Sequence, residues 1–243
     1  MWCKAVIALA MVTAASVAPA HAGFFFFSND VAGFTAAMAG ATTLGVENFE
    51  ASFLPANNVL GMNDPLTQGV ANVVYPAGLT APLTVQSNVL GGIATNPSPR
   101  GIDGLAAVSV GFAGATSDVV VANTTADSLD LIFSAADQVV GVGFNSIGFF
   151  LPSNLNVQVY STSNALLGST SIIGDPSGAN FLGIQATGGD AIGRINIFST
   201  VDGFEGVDNV QMFGPTAPEP TSMALMGLGL LGLAARRRLG ADA

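Results

Sequence analysis

The sequence predicts an all-β fold: an antiparallel two-sheet sandwich, jelly-roll-like, with a short helix near its start and an apolar helix at its C-terminus. Three observations predict it. From Val46 onward, apolar residues recur in short clusters or in strict alternation rather than at helical spacing. Gly, Pro, Asn, Asp and Ser part these clusters and supply the turn geometries of antiparallel strands. Long helical stretches do not alternate with the strands, which disfavours a doubly wound parallel sheet.

Residues 1–22 read as a secretory signal peptide, with a basic start at Lys4, an apolar run over 5–17 and the small-x-small step Ala20-His21-Ala22. Pro19 and that step would end a core helix at once. Cys3 and His21 are the sole cysteine and histidine, and both leave with this segment. The exported body therefore lacks thiol and imidazole. That excludes zinc ligation by those groups and Ser-His-Asp or Cys-His catalysis. It also leaves stability to the core rather than to disulfides.

The body, residues 23–214, is long enough for one domain. Phe24, Phe25, Phe26 and Phe27 read as an apolar terminal strand tucked against the sandwich. Ser28, Asn29 and Asp30 can cap a helix over about 30–39, in which Val31, Phe34 and Met38 form one apolar stripe and Gly40 offers a stop. The strand segments follow in order: VENFE, ANVVY, PLTVQ, LAAVSVGF, SDVVVAN, SLDLIF, VVGVGFNSIGFF, LNVQVY, STSII, NFLGI, IGRINIF and VDNVQMF. In LNVQVY, Leu155, Val157 and Val159 share one face while Asn156, Gln158 and Tyr160 share the other, as in a half-buried strand. Residues 76–102, with Pro76, Pro82, Pro97 and Pro99 and glycines at 78, 91, 92 and 101, read as long loops. Gly141 and Gly143 mark a bulge or a close backbone approach. A polar turn over 161–165 leads into a return strand at Leu166 and Leu167.

Fourteen acidic residues stand between Gly23 and Gly214 against two basic ones, Arg100 and Arg194. Such a surface disfavours nucleic acid and anionic lipid as partners. It suits divalent cations. First and last strands lying side by side would bring Glu47 or Glu50 towards Asp208 and Asn209, a candidate calcium site, with edge-strand polar groups satisfied by backbone or water as the alternative. Asp103, Asp118, Asp127, Asp130, Asp175 and Asp190 are available carboxylates for glycoside hydrolysis, but they form no signature and read as caps and turns. No catalytic or cofactor-binding residue is predicted, and the chain is expected not to be an enzyme. Carbohydrate recognition has only Tyr75 and Tyr160 as polar aromatics, since Trp2 lies in the leader.

The chain closes with Pro218-Glu219-Pro220, an uncharged run from Met223 to Ala235, and Arg236-Arg237-Arg238. As a helix that run spans about 20 Å, short of the ~20 residues a free-standing membrane span needs. Snorkelling arginines offset part of the deficit and place the acidic body outside the inner membrane. The expectation is a short transmembrane helix over 223–235 that anchors the protein transiently.

This closing stretch resembles the PEP-CTERM sorting signal of exported bacterial proteins. FTAAMAGATTLGVENFE and GVDNVQMFG are similar to the early helix, first strand and last strand of β-sandwich proteins that carry such tails. The resemblance implies a sorting segment over 215–243, signal peptidase and an exosortase-type sorting enzyme as partners, and a host that makes exopolysaccharide. By the same resemblance, the product is cut near the motif and delivered to the cell surface or extracellular matrix. The expected function is a non-catalytic surface or matrix protein. Alternatives are a carbohydrate-binding module for exopolysaccharide and, third, a glycoside hydrolase.

Overall fold

The computed structural model describes residues 23–62, 64–89, 104–123, 127–149, 153–199 and 204–216. Its described strands are β1 (Phe24–Ser28), β2 (Thr42–Glu47), β3 (Val59–Met62), β4 (Leu66–Thr67), β5 (Thr84–Val89), β6 (Leu105–Val108), β7 (Val119–Ala122), β8 (Asp127–Ile132), β9 (Gly141–Phe149), β10 (Ser153–Ser161), β11 (Leu166–Gly174), β12 (Asn180–Ala186), β13 (Ile192–Ser199) and β14 (Phe204–Gly214). Among the described residues one α-helix, α1 (Val31–Ala37), lies between the first two strands. All pairings between these strands are antiparallel.

The strands form two sheets. The first runs β1-β12-β9-β14-β7-β6-β3, with β2 also paired to β14; the second runs β11-β10-β13-β8-β5-β4. Alternation along each strand sends one set of side chains into the space between the sheets. From the first sheet come Leu105, Val120, Phe144, Leu182, Val207 and Met212; from the second, Val85, Leu129, Leu131, Leu155, Val157, Ile195 and Ile197. This is the sandwich expected from the sequence.

The first sheet is buried on its outer face as well. Ala106, Val108, Val119, Val121, Ile147 and Phe149 cluster there under Phe112 and Phe204. Burial on both faces explains why LAAV and VVVA read as continuous apolar runs rather than alternating ones. Farther along the same face, α1 lays Phe34 and Met38 against Phe181. A Cβ at Gly143 would come within 2.7 Å of the Phe34 ring, and one at Gly183 within 2.6 Å. Of the two readings of the VVGVG stretch, close backbone approach therefore describes Gly143.

Asp30 caps α1 by accepting a hydrogen bond from Gly33 N–H. The helix stops at Ala37, two residues before the expected end, and Gly40 turns the chain at φ 89°. VENFE contributes only its first two residues to β2, which starts earlier at Thr42. The reason is local: Phe49 takes φ 58°, and the Glu47 carboxylate accepts from Phe49 N–H, which turns the chain out of the strand. ANVVY is not a strand. Asn72 Oδ1 accepts from Val74 N–H and Asn72 N–H donates to Tyr75 O, so the segment satisfies its own backbone in a turn. The turn after β10 falls on Ser161 to Ala165 as expected, held by Ser161 Oγ accepting from Ser163 and Ala165 N–H.

The transmembrane helix is corrected. Among the described residues no helix is long and apolar enough to cross a membrane. The expected leader over 1–22, the apolar segment over 223–235 and the residues Pro218, Glu219, Pro220, Arg236, Arg237 and Arg238 lie outside the described residues.

Candidate functional site

Strand β14 brings the predicted acidic residues near one another. It pairs with β2 at Val210↔Glu47, beside Asp208 and Asn209. The ladder to β9 shifts register between Asp208 and Gln211, and Asn209 sits at φ 50° within that irregularity. A bulge of this kind re-aims side chains, and here Val207 and Val210 both reach the inner core.

The four predicted ligands have different duties. Glu47 is buried, and both of its oxygens are occupied: Oε1 accepts from Phe49 N–H, while Oε2 accepts from Thr80 N–H at 2.7 Å, Thr80 Oγ1 at 2.9 Å and Ala81 N–H at 3.3 Å. It pins the 78–81 loop to the end of β2. Asn209 donates through its backbone N–H and its Nδ2 to the Asp208 carboxylate, so it orients that group. Asp208 also accepts from Ser117 Oγ at 2.6 Å. Glu50 is exposed and accepts from Asp118 N–H at 3.2 Å.

Asp118, which the sequence offered only as a scattered acid, belongs to this cluster. Its Oδ1 accepts from Val110 N–H and its Oδ2 from Ser52 Oγ. Burial pushes the Asp208 carboxyl up to about 6; its hydrogen bonds from Ser117 and Asn209 oppose the shift, while the charges of Glu50 and Asp118 add to it. Tyr75 is the other residue sequence reasoning did not place. It is 1% exposed, packs edge-on against Phe49 at 6.4 Å, and its hydroxyl has no hydrogen-bond partner. Burial raises its pKa strongly, and the charges of Asp118, Glu47, Glu50 and Asp208 raise it further. Among the described residues no group of three or more His, Cys, Asp or Glu side chains is placed so that it could hold a metal ion.

A second polar group sits on the outer face of the second sheet, away from this cluster. Asp130 on β8 accepts from Arg194 Nη1 at 3.0 Å, Asn196 Nδ2 at 2.7 Å and Asn88 Nδ2 at 3.0 Å. Arg194 reaches Asn164 in the β10–β11 turn through Nε and Nη2, and its guanidinium lies 4.0 Å from the centre of the Tyr160 ring. Asn88, Asp130 and Asn196 are fully buried and Arg194 is nearly so. The signal for this network was the alternation in DSLDLI and IGRINIF, which puts Ser128 and Asp130, and Arg194 and Asn196, on one face.

Neither tyrosine is an open platform for a sugar ring: Tyr75 is enclosed and Tyr160 carries Arg194. Of the acids weighed for hydrolysis, Asp130 holds Arg194, Asp118 holds a loop, and Asp175 accepts from Ser177 within a turn. Asp103 lies outside the described residues. Asp127 has as its neighbour Glu205, a buried residue the sequence reading did not name.

Comparison with known proteins assigns the closing segment. Residues 216–238 match the PEP-CTERM protein-sorting motif. The match begins two residues beyond the end of β14 at Gly214. No curated protein matches the chain. The chain is thus a PEP-CTERM-bearing β-sandwich protein, consistent with export, and the motif implies an exosortase-type sorting system.

Proposed function

We propose that this chain is a non-catalytic cell-surface or extracellular-matrix protein, exported by its 1–22 leader and processed at the segment that follows β14. The observation that carries this reading is the sorting-motif match over 216–238, directly after the last strand of the sandwich. In this reading Pro218-Glu219-Pro220 is a substrate: two prolines restrict the backbone to extended conformations that a processing enzyme can grip. The sandwich is the cargo. Its acidic, leaderless body keeps away from anionic lipid, as a released surface component requires. The carbohydrate-binding alternative lacks an open tyrosine platform, and the polar side chains of the second sheet that would replace it are committed to one another.

The test is the intact mass of the full-length product, recovered from cells and from medium of its own host. A species that begins at Gly23, ends close to residues 218–221 and lies outside the cell is the expected result. A product that still ends at Ala243 would overturn the processing reading. Replacing Pro218-Glu219-Pro220 by alanines should abolish the shortened species.

A further inference from the structure

The strands that border the two sheets are unequally guarded. Among the described residues β1, β2, β3, β4 and β11 each pair with a single neighbour. They run for five, six, four, two and nine residues. A free strand edge presents unpaired N–H and C=O groups, and proteins blunt it by shortness, charge or proline. β11 has none of these devices. LLGSTSIIG carries neither charge nor proline, and no charged residue stands between Asp137 and Asp175. The β10–β11 hairpin is therefore an uncharged margin on a chain of net charge -10, the place where two copies meet with least repulsion.

The order of residues along β11 is a second, independent observation. Its register to β10 pairs Asn154↔Ile173, Asn156↔Ser171, Val157↔Thr170, Gln158↔Ser169, Val159↔Gly168 and Tyr160↔Leu166, so Leu167 is an extra residue in the ladder. The outer face therefore carries Leu166, Ser169, Ser171 and Ile173, while Gly168, Thr170 and Ile172 face inwards. Leu166 and Ile173 are left 56% and 44% exposed at opposite ends of the strand. From Thr170 outwards this face reads alike in both directions: a serine, then an aliphatic residue. A strand that is its own complement when reversed suits a two-fold interface, in which each copy offers the same patch.

We propose that β11 pairs antiparallel with β11 of a second copy of this chain, about a two-fold axis at Thr170, and so joins their second sheets into one. Thr170 then faces Thr170, and Ser169 faces Ser171. Leu166 faces Ile173 on the outer side, with the extra Leu167 setting that count, so the two exposed aliphatic residues cover one another. On the inner side Ile172 comes opposite Gly168, beside which lie the partly buried Phe24 and Phe26 of β1. A slip of one residue would put Leu166 and Ile173 on opposite faces, which fixes the register. Backbone pairing is confined to 168–172, because the Ile173 carbonyl already accepts from Ser146 Oγ at 2.9 Å. A join of that length buries less than a standard interface of about 1,600 Å², so the dimer is weak and depends on concentration. It does not involve the sorting segment, and its test stands apart from that of processing.

Sedimentation velocity of the full chain tests the join, in a fixed concentration of non-ionic detergent so that association through the apolar end segments stays constant. The expected result is a monomer–dimer transition between about 1 µM and 1 mM protein. Ser169→Lys with Ser171→Lys should weaken the dimer at least about tenfold, because like charges then stand opposite one another. Ser169→Glu with Ser171→Glu should do the same. Mixing the two double variants should restore a dimer, now of one copy of each. Both serines are exposed, and an unchanged Tm shows that each variant is folded. If a double variant does not fold, Ser171→Lys mixed with Ser169→Glu keeps the test, and should associate more tightly than Ser171→Lys mixed with Ser171→Glu. A parent chain that stays monomeric over that range overturns the proposal and leaves the edge to an extended segment of another protein. Association that both charge variants leave unchanged overturns it in favour of the apolar end segments, and a mixture that stays monomeric overturns the pairing about Thr170.

Discussion

Glu205 shows how a single buried acid sets a pH response. It is fully enclosed; Oε1 accepts from Ser199 N–H at 2.8 Å and Oε2 has no partner. Burial pushes its carboxyl up to about 7, the backbone hydrogen bonds oppose this, and the charge of Asp127 adds to it. An acid whose folded pKa lies above its unfolded value of 4.5 binds more protons when folded, so its contribution to stability is present at low pH and is lost as pH rises from about 4.5 through 7. Glu205→Gln should flatten that part of the stability profile and leave the variant up to about 3 kcal/mol more stable than the parent above pH 7. Urea midpoints at pH 5 and pH 8 measure it; equal shifts at both pH values would refute it. Residues of this kind were the least legible in the sequence. Asp130 and Arg194 were visible as residues, yet their union needs β8 and β13, distant in sequence, to pair in register. Tyr160 was visible as an aromatic, but the guanidinium over its ring comes from the pairing of Tyr160 with Arg194 between β10 and β13.

At the scale of elements, local chemistry was legible wherever it acts over a few residues. The cap at Asp30, the turn over 161–165 and the alternation of β10 follow from sequence neighbours. What escaped was the competition between neighbours: Phe49 and Asn72 each divert an apolar segment from pairing, through a positive φ and a side-chain hydrogen bond. The seat of α1 depends on Gly143 and Gly183, two positions on adjacent strands that sequence distance separates. Gly183→Ala would set a methyl group against the Phe34 ring and should destabilise the fold by about 1–3 kcal/mol. Urea unfolding gives the magnitude. In a double-mutant cycle, Phe34→Ala should abolish most of that penalty, and strict additivity would show that the two positions do not compete for space.

For the whole molecule, the division between cargo and address is also a division of stability. The sandwich core draws on β1 to β14, and the sorting match starts at residue 216, outside every described strand. Ending the chain after Thr216 should therefore leave the urea midpoint within about 0.5 kcal/mol of the full chain while abolishing sorting. A large loss of stability would mean that the tail packs on the body. The two-sheet architecture was readable because burial of one face imposes period two on many strands at once. The order of strands was not, because antiparallel pairing of distant segments leaves no local trace. The acidic cluster occupied both categories: Glu50 and Asp208 stood out as acids near the two ends of the body, while Asp118 joins them only through the chain's path.

The position of β14 also has a mechanical consequence. It is eleven residues long, runs through the interior of the first sheet against β9, and ends where the tail begins. A pull on the tail along the strand would load many transverse hydrogen bonds to β9 in shear, so that they resist together. A pull on the other terminus would meet β1, a sheet-edge strand with one partner, and peel it from β12 one bond at a time. The end that carries the address is thus the end that resists force, and a domain held by it can be tugged without coming undone.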